Sequence, residues 1–397
     1  MRCLHIPDNG KAEEELMRIG VDPYGIEAMR PKMSYLKVLL EGIECKVANI
    51  LKQEMLSIGG DVAVSRGSVG CSVEKTDALI LGTEKQIRAL AGKIAFQPFG
   101  LKEMAGELDE LLTNMARTRF RLTTPERTIE IADRTLIMGI LNRTPDSFSD
   151  GGVYEDIETA VKRGIALEEE GADILDVGGE SSRPGSDAVS AAEERERVIP
   201  LIEALKKHLT IPISIDTTKA EIARIAVESG AEIINDISAM QSDDRMPSTV
   251  ARYGVPLVMM HMRGTPKTMQ QGDLSYVSLR GEIIDFLRAR IEAAEAAGID
   301  RENIVVDPGI GFGKSPDDNL RLIKYLGEFK TLGRPVLVGV SRKAFIGVIT
   351  GGEPLERRDG TIAAVVASVI NGANIVRVHD AAVIKKAAAL TDAIMRG

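Results

Sequence analysis

Cationic side chains suited to binding an anion stand at or near the ends of short apolar runs in the second part of the chain. Arg377 and His379 close the last run, and Arg183 follows an earlier one. Because side chains on a strand alternate, Arg377 and His379 share one face and can reach one anion. The alternatives are a solvated cationic rim and, for Arg183, an exposed side chain on a flexible loop. Since Arg377 and His379 interrupt a very apolar run, the pattern favours a phosphate site.

Three other runs end in side chains that suit the edge of a heterocycle. Asp216 and Asn235 end consecutive runs, and Asp307 ends a later one that continues into a glycine-rich segment permitting close ligand approach. A carboxylate beside a carboxamide can both accept and donate hydrogen bonds. The alternative at such strand-to-helix turns is capping of the next helix, which we favour for Asp236 and which stays open for Asp216. The spacing predicts a polar floor for a flat ring.

Two further runs add a lysine, a methionine and a histidine. Lys343 follows the run at 335–340, close enough to reach the same ring or anion. Met260 ends the run at 255–260 and offers a soft apolar wall to a flat ring. His261 comes next, and we expect it to be structural, as a lone histidine at a strand end usually is.

A polar loop after the first run carries two oxygen ligands for a hard cation. Asn142 ends that run, and Asp150 follows in the same loop. Amide and carboxylate oxygens, together with substrate phosphate, are ligands that Mg²⁺ prefers. The alternative is a plain turn, because Pro145, Asp146 and the two following glycines are turn formers. The loop therefore predicts a Mg²⁺ site, with a simple turn as the alternative.

These residues must be positioned by parallel strands. The apolar runs are short and rich in β-branched residues, and they alternate with stretches of helical periodicity, which is typical of βα units. The runs are Leu136 to Leu141, Ile174 to Val177, Ile211 to Ile215, Ile233 to Ile234, Val255 to Met260, Ile304 to Val306, Pro335 to Val340 and Asn374 to Val378. Eight such units predict an α/β fold, a (β/α)8 TIM barrel, whose site lies at the C-terminal strand ends.

The chain is longer than one barrel requires. Its 397 residues exceed the roughly 250 of a typical barrel. We therefore predict a small α/β accessory domain of unassigned role at residues 1–122 and the barrel at 123–397. The linker contains the Thr124–Pro125 pair, which disfavours helix. The strand at 128–131 is expected to form part of a hairpin that plugs the bottom of the barrel.

Composition excludes several classes of protein. A net charge of -9 argues against a general nucleic-acid surface. The three cysteines, Cys3, Cys45 and Cys71, lack the paired spacing of a zinc site, and so few cysteines suit a reducing cytoplasm. The N-terminus lacks the pattern of a signal peptide, and the longest apolar stretch, Ile362 to Ile370, is too short for a membrane span. We expect a cytoplasmic protein without a nucleic-acid or membrane partner.

Together, the ring floor, the anion-binding cations and the metal loop describe transfer of a heterocyclic group from a diphosphate ester. Cations already in place would neutralise the departing diphosphate, and no covalent nucleophile is required. The segments that carry this chemistry resemble the dihydropteroate synthase family over about residues 135–395. They are LNRTPDSFSDGG, DVGGESSRPGS, SIDTTKAE, INDI, MHMRGTPKTMQ, DPGIGFGK, SRKAFIG and RVHD.

The resemblance implies condensation of 7,8-dihydropterin-6-methyl diphosphate with p-aminobenzoate, giving dihydropteroate and pyrophosphate in folate synthesis, with sulfonamides as competitors. The implied pterin contacts are Asp216, Asn235, Met260, Asp307 and Lys343. The implied diphosphate contacts are Asn142, Arg183, Arg377 and His379. The implied p-aminobenzoate site comprises Phe148, Ser182, Pro184, Phe312 and the surroundings of Lys343.

The resemblance also implies a mechanism and an assembly. Diphosphate leaves first, assisted by Mg²⁺ at Asn142 and Asp150, and the arylamine then attacks the pterin cation. Asp307 would stabilise that cation, and Asp216 and Lys343 complete the implied catalytic set. A homodimer through barrel helices on the side opposite strands one to three is expected.

Two positions depart from the usual family pattern. Arg143 replaces a small apolar residue after the loop-one asparagine, and Ser182 stands where threonine is frequent. Arg143 puts loop mobility or diphosphate affinity in question. The first 120 residues have no counterpart in the minimal family member.

Two other functions stay open at this point. A related pterin barrel transfers a methyl group from methyltetrahydrofolate to a corrinoid, but that chemistry does not need the cations Arg183, Lys343, Arg377 and His379. A catalytically silent pterin-binding scaffold would be expected to lack the metal ligands of loop one, and both are present.

Overall fold

The chain forms two compact units, Met1–Ala116 and Arg117–Gly397. The computed structural model describes residues 2–4, 6, 9–70, 72–143, 153–181 and 185–396, with the backbone alone at 153–156. The division falls earlier than the predicted boundary after residue 122. The reason is that residues 120–123 form a strand that pairs within the second unit.

The first unit is a small α/β structure. Its sheet has the order β1-β3-β2, and both pairings are antiparallel. Alternate residues of β3, among them Ala78 and Ile80, are buried in a core with residues of the neighbouring helices. The elements are α1 Asn9–Ile19, α2 Pro23–Met33, β1 Tyr35–Glu44, α3 Cys45–Ser57, β2 Asp61–Val64, β3 Lys75–Thr83, α4 Glu84–Ile94 and α5 Leu101–Ala116.

The second unit is the predicted barrel. Its eight-stranded sheet has the order β11-β10-β9-β8-β7-β6-β13-β12, and every pairing in it is parallel. Val306 pairs with Val336, which closes the sheet between β11 and the segment leading into β12. The strands are β6 Leu136–Asn142, β7 Ile174–Gly178, β8 Ile213–Asp216, β9 Ile233–Asp236, β10 Leu257–Met260, β11 Ile304–Asp307, β12 Leu337–Val338 and β13 Ile375–Val378.

Helices surround the strands and cover their outer faces. They are α6 Val153–Glu169, α7 Ala191–Leu205, α8 Ala220–Glu228, α9 Met246–Tyr253, α10 Leu279–Ala296, α11 Pro316–Lys324, α12 Ala344–Thr350, α13 Arg358–Ile370 and α14 Ala381–Arg396. In β7, Leu175 and Val177 pack in the core shared with these helices. Because strand side chains alternate, Ile174 and Asp176 point into the barrel. No helix in the described parts of the chain is long and apolar enough to cross a bilayer.

A hairpin seals the N-terminal end of the barrel, as predicted. It consists of β4 Phe120–Thr123 and β5 Thr128–Ile131, which pair antiparallel. Phe120, Leu122 and Ile131 are buried among the inward-facing residues at the beginnings of the barrel strands. Asn303 anchors the hairpin by accepting from the backbone N–H of Thr123 at 2.7 Å and donating to its carbonyl at 2.9 Å. The opposite, C-terminal end is therefore the open one.

Candidate active site

A network of buried polar side chains crosses the open end of the barrel. Arg377 Nε donates to Asp176 Oδ2 and Arg377 Nη2 to Asp216 Oδ2, both at 2.6 Å. Asn235 Nδ2 donates to the same oxygen of Asp176 at 3.1 Å. We call Asp176, Asp216, Asn235 and Arg377 the barrel network. Four strands, β7, β8, β9 and β13, thus place polar atoms around one space.

The charges of the barrel network are closely coupled. Burial raises the pKa of Asp216 to about 7, with Arg377 opposing the rise and Asp176 adding to it. Burial alone would lower the pKa of Arg377, but Asp176 and Asp216 outweigh it and raise that pKa. Arg377 therefore stays charged. Among the described residues, Arg377 Nη1 has no partner and remains available to a ligand, whereas Asp176 Oδ1 is buried without a partner.

Asp307 lies at the end of β11, beside the barrel network. Its Oδ1 accepts the backbone N–H of Gly309 at 2.7 Å. Burial raises the pKa of Asp307 to about 6, although the Gly309 N–H, Lys343 and other cations hold it down. The carboxylate is thus ionised at neutral pH and close to its titration point, a state that responds to a ligand's charge and hydrogen bonds.

Lys343 and two apolar side chains border the same space. Lys343 Nζ lies 4.0 Å from the centroid of the Phe312 ring, in cation–π contact. Burial lowers the pKa of Lys343 to about 8; Arg377 lowers it further and Asp307 opposes the change. Phe312 is buried against Met260 and Met269. We call Met260 and Phe312 the apolar wall; contact between Met260 and a flat ring stays a prediction.

His379 sits at the end of β13 as a neutral imidazole. Burial lowers its pKa to about 3, and Arg342 and Arg377 contribute to the change. Ser341 Oγ lies 3.0 Å from His379 Nδ1 and accepts the backbone N–H of His379 at 3.3 Å. The hydroxyl proton of Ser341 can therefore be donated to Nδ1. When Ser341 donates this proton, the ring proton of His379 is on Nε2, where it is available to an anion.

Asn142 is the described member of the predicted metal pair. A Cβ built on Gly178 would lie 2.9 Å from Asn142 Oδ1 and 3.7 Å from Asp216 Oδ2, so the absence of a side chain at Gly178 leaves room between strand ends. An amide oxygen in this position suits a hard cation. Five of the predicted site residues lie outside the described residues, namely Phe148, Asp150, Ser182, Arg183 and Pro184.

The position that departs from the family pattern after the first strand, Arg143, is buried. Its Nη1 donates to the backbone carbonyls of Glu196 at 3.1 Å and Arg197 at 2.8 Å, on α7. Its backbone N–H donates to the carbonyl of Gly178 at 2.8 Å. Arg143 therefore ties the end of β6 to the following βα unit.

Sequence reasoning assigned no role to Asp176, which is 0% exposed. The available signal was its position, because a charged residue in the middle of a buried strand requires a partner. Asp236, by contrast, binds the backbone of the turn after β9: it accepts from the N–H groups of Ser238 at 2.8 Å and Met240 at 2.7 Å. It is a local turn-forming residue, while Asn235 faces the barrel network.

Comparison with known proteins assigns the barrel to a family. Residues 138–379 match the model for pterin binding enzymes, which is more than half of the chain. The dihydropteroate synthase of Synechocystis sp. is 46% identical over 264 residues, which cover 66% of this chain and 91% of that protein. The chain belongs to the dihydropteroate synthase family. It is accordingly an enzyme of the transferase class.

A solved dihydropteroate synthase has the same barrel. The enzyme of Xanthomonas albilineans, determined with 4-aminobenzoic acid, is 45% identical and superposes with a TM-score of 0.66, covering 70% of this chain and 100% of that one. The barrel network and Asp307 thus belong to a dihydropteroate synthase fold.

A longer relative also matches the first unit. The probable bifunctional folylpolyglutamate synthase/dihydropteroate synthase of Halobacterium salinarum is 40% identical over 369 residues. The alignment covers 93% of this chain, so it includes most of the first unit as well as the dihydropteroate synthase barrel. The chain spans 44% of that relative's length.

Proposed function

We propose that the barrel condenses 7,8-dihydropterin-6-methyl diphosphate with p-aminobenzoate to dihydropteroate and pyrophosphate. The observation that carries the proposal is the position of Arg377, which joins two buried carboxylates and keeps one N–H group available. A pterin ring presents several N–H donors on one edge, and its methyl diphosphate adds an anion beside it. A floor of carboxylates next to fixed cations fits both parts of that molecule.

The pterin ring would bind between the polar floor and the apolar wall. Asp216 and Asp307 accept its N–H groups, and Asn235 can accept and donate. Lys343 donates to a ring acceptor, while Met260 packs against the face of the ring. The pKa is about 7 for Asp216 and about 6 for Asp307, so both carboxylates are close to protonation when the site holds no ligand. Hydrogen bonds from the N–H groups of the pterin favour their ionised forms.

The reaction begins with departure of the diphosphate. The bond between the methylene carbon and the ester oxygen breaks, and its electron pair leaves with the oxygen. Arg377 Nη1 and His379 Nε2–H would donate to the departing anion, and Arg183 is proposed as the third contact. Arg377 and His379 are in place before charge develops, so these two donors stabilise the leaving group without reorganisation. The pterin methylene cation that remains lies next to the anionic Asp307.

The arylamine then completes the condensation. The nitrogen lone pair of p-aminobenzoate forms the new bond to the methylene carbon, and the nitrogen releases one proton to solvent or pyrophosphate. Phe312 and the surroundings of Lys343 are proposed as one side of the p-aminobenzoate site. Phe148, Ser182 and Pro184, outside the described residues, are proposed as the rest.

We also propose Mg²⁺ as the cofactor, with Asn142 and Asp150 as its protein ligands. Asn142 contributes an amide oxygen beside the barrel network, and Asp150 follows eight residues later in the sequence, outside the described residues. When bound, the ion would neutralise charge on the diphosphate.

A homodimer is proposed through the barrel helices that follow β12 and β13. Val348 and Ile349 on α12 are 69% and 58% exposed, and Leu390 and Ile394 on α14 are 65% and 67% exposed. Both helices pack against α13, and large apolar side chains that stay exposed are typical of an interface. Light scattering on the full chain tests this: Val348→Asp with Leu390→Asp should give monomers, and a monomeric wild type would contradict it.

The decisive experiment supplies the full chain with dihydropterin diphosphate, p-aminobenzoate and Mg²⁺ and follows pyrophosphate and dihydropteroate. We expect both products in equal amounts. Folded protein that forms no dihydropteroate would overturn the proposal. Methyl transfer from methyltetrahydrofolate to a corrinoid, measured in parallel, should be absent. The cations of this site suit a diphosphate, which methyltetrahydrofolate does not carry.

A further inference from the structure

Lys314 is a buried lysine without an assigned role. It follows the loop after β11 and is only 2% exposed. Its ammonium nitrogen lies within hydrogen-bond distance of three acceptors: Nδ1 of His261 at 3.0 Å, the carbonyl of His261 at 3.3 Å and the carbonyl of Phe312 at 2.9 Å. An ammonium group has three protons, so each can be donated to one acceptor. The site is built for a charged lysine.

Burying a charged lysine lowers the stability of the fold unless the charge stabilises another group. Burying an ammonium costs several kcal/mol before compensation, and a methionine could fill a similar volume without that penalty. The charges facing Lys314 are Asp307 and Asp318, which favour its protonation, and Lys343 and Arg263, which oppose it. Burial is the largest influence and lowers the pKa of Lys314 to about 7.

The group that the charge of Lys314 stabilises is the carboxylate of Asp307. Two acids of the barrel network, Asp176 and Asp216, are already paired with Arg377. Asp307 has no such ion pair among the described residues, and the cations that act on it are Lys343, Lys314 and Arg377. Lys314 therefore supplies positive charge to the one buried carboxylate of the floor that lacks a direct cationic partner.

Lys314 also joins two loops that pack backbone against backbone. A Cβ built on Gly309 would collide with the carbonyl oxygen of His261, so the loop after β11 runs directly against the end of β10. The ammonium group bonds carbonyls on both sides of this contact. Met260 precedes His261, and together with Phe312 it forms the apolar wall. The lysine thus holds the two halves of the wall together.

We propose that Lys314 is a positioning residue for the pterin site, fixing the wall formed by Met260 and Phe312 and keeping Asp307 anionic without itself touching the substrate. This inference rests on the proposed function, because it assigns Asp307 and the wall to the pterin ring. His261 serves the same purpose as the acceptor of Lys314, which accounts for its place at the strand end.

Three variants separate the two parts of this role. Lys314→Met removes both charge and hydrogen bonds, Lys314→Gln keeps donors but removes the charge, and Lys314→Arg keeps the charge. Calorimetry measures the affinity for dihydropterin diphosphate over a range of pH. Steady-state kinetics give KM for p-aminobenzoate and kcat as separate values, and thermal unfolding checks that each variant is folded. The matched control is Lys324→Met, at the end of α11, where the side chain is exposed.

We expect Lys314→Met to weaken pterin binding about tenfold at neutral pH, the order expected for losing a hydrogen bond to a charged group. As the pH falls, pterin affinity should decrease when Asp307 is protonated; we call this decrease the acid limb. In both uncharged variants the acid limb should move to higher pH, because Asp307 has lost a nearby cation and its pKa rises. Lys314→Gln should keep the wild-type KM for p-aminobenzoate, Lys314→Arg should keep the wild-type acid limb, and the control should change neither.

Folded Lys314→Met or Lys314→Gln protein with wild-type pterin affinity and an unmoved acid limb would overturn the inference. If Lys314→Met fails to fold, the acid limb of Lys314→Gln decides between the same two outcomes. The proposed function is judged by the wild type alone. A wild type that forms dihydropteroate, beside variants without these changes, contradicts only the role of Lys314.

Discussion

Asp176 on β7 accepts a hydrogen bond from Arg377 on β13 at 2.6 Å, a contact between residues 201 positions apart in sequence. The two strands are not neighbours, since β6 lies between them in the sheet. The contact therefore spans the interior of the barrel. It fixes a cation at the place where we propose that the pterin floor and the diphosphate site meet.

Asp176→Asn should lower turnover strongly while the barrel stays folded. Asparagine keeps the shape of the side chain but leaves Arg377 with one carboxylate instead of two. Losing a charged hydrogen bond in a buried site corresponds to about 10–100-fold in rate or affinity. Pyrophosphate release measures the effect. Asp359→Asn, whose side chain is 92% exposed, is the control and should match wild type. Unchanged turnover in Asp176→Asn would show that catalysis does not depend on the positioning of Arg377 by Asp176.

The activity should have an acid limb set by the floor carboxylates. Burial raises the pKa of Asp216 to about 7 and that of Asp307 to about 6. Both are proposed to accept N–H groups of the pterin as carboxylates, so protonation weakens binding. The dependence of kcat/KM on pH should therefore fall as the pH drops from about 7 through about 6. A profile that stays flat down to pH 5 or so, well above ordinary carboxyl pKa values, would contradict this assignment.

Asp307→Asn should make the folded protein more stable while it impairs catalysis. The pKa of Asp307 is raised from 3.8 to about 6 in the folded state, so between these values the folded state holds the proton more tightly than the unfolded state. The contribution of Asp307 to stability therefore declines as the pH rises through this window, and above it the ionised group is destabilising. A neutral asparagine avoids a penalty of up to about 3 kcal/mol. Urea unfolding at pH 8 and at pH 4 measures the gain in the free energy of unfolding, which should fall to about 0.5 kcal/mol at pH 4.

Lys343→Ala should reduce turnover more than it reduces stability. Lys343 contacts the Phe312 ring and faces Asp307, and we propose that it donates to the pterin. Because burial lowers its pKa to about 8, wild-type kcat/KM should also decline above that pH as the charge is lost. Lys324→Ala, an exposed position, serves as the control. Full activity in Lys343→Ala would contradict the proposed role of Lys343. If kcat/KM of this variant still declines above about pH 8, another group causes the decline.

The barrel and most of its strand ends were predictable because their information is local. A short apolar run marks each strand, and a polar residue at its end stands out, as at Asp216 and Asp307. Asp176 was missed because its meaning depends on Arg377, a distant partner that no local pattern reveals. Lys314 was missed for a similar reason: its acceptor His261 is 53 residues away, and a lysine after a glycine-rich loop ordinarily faces solvent.

The hairpin at the bottom of the barrel determines where the chain can be shortened. A chain that begins at Arg117 keeps β4 and β5, whereas one that begins at Pro125 loses β4, including the buried Phe120 and Leu122. Each of these apolar side chains contributes about 2–5 kcal/mol when it fills a core. We therefore expect residues 117–397 to fold and to turn over substrate, because all proposed site residues lie within them.

The chain beginning at Pro125 should unfold at much lower urea concentration than the one beginning at Arg117, and it should expose the inward-facing starts of the barrel strands. Leu122→Ala in the full chain isolates the effect and should lower the free energy of unfolding by about 2–5 kcal/mol without changing KM. Arg121→Ala, on the exposed side of the same strand, is the matched control. Equal stability of the two shortened chains would show that the barrel does not depend on β4 as a plug.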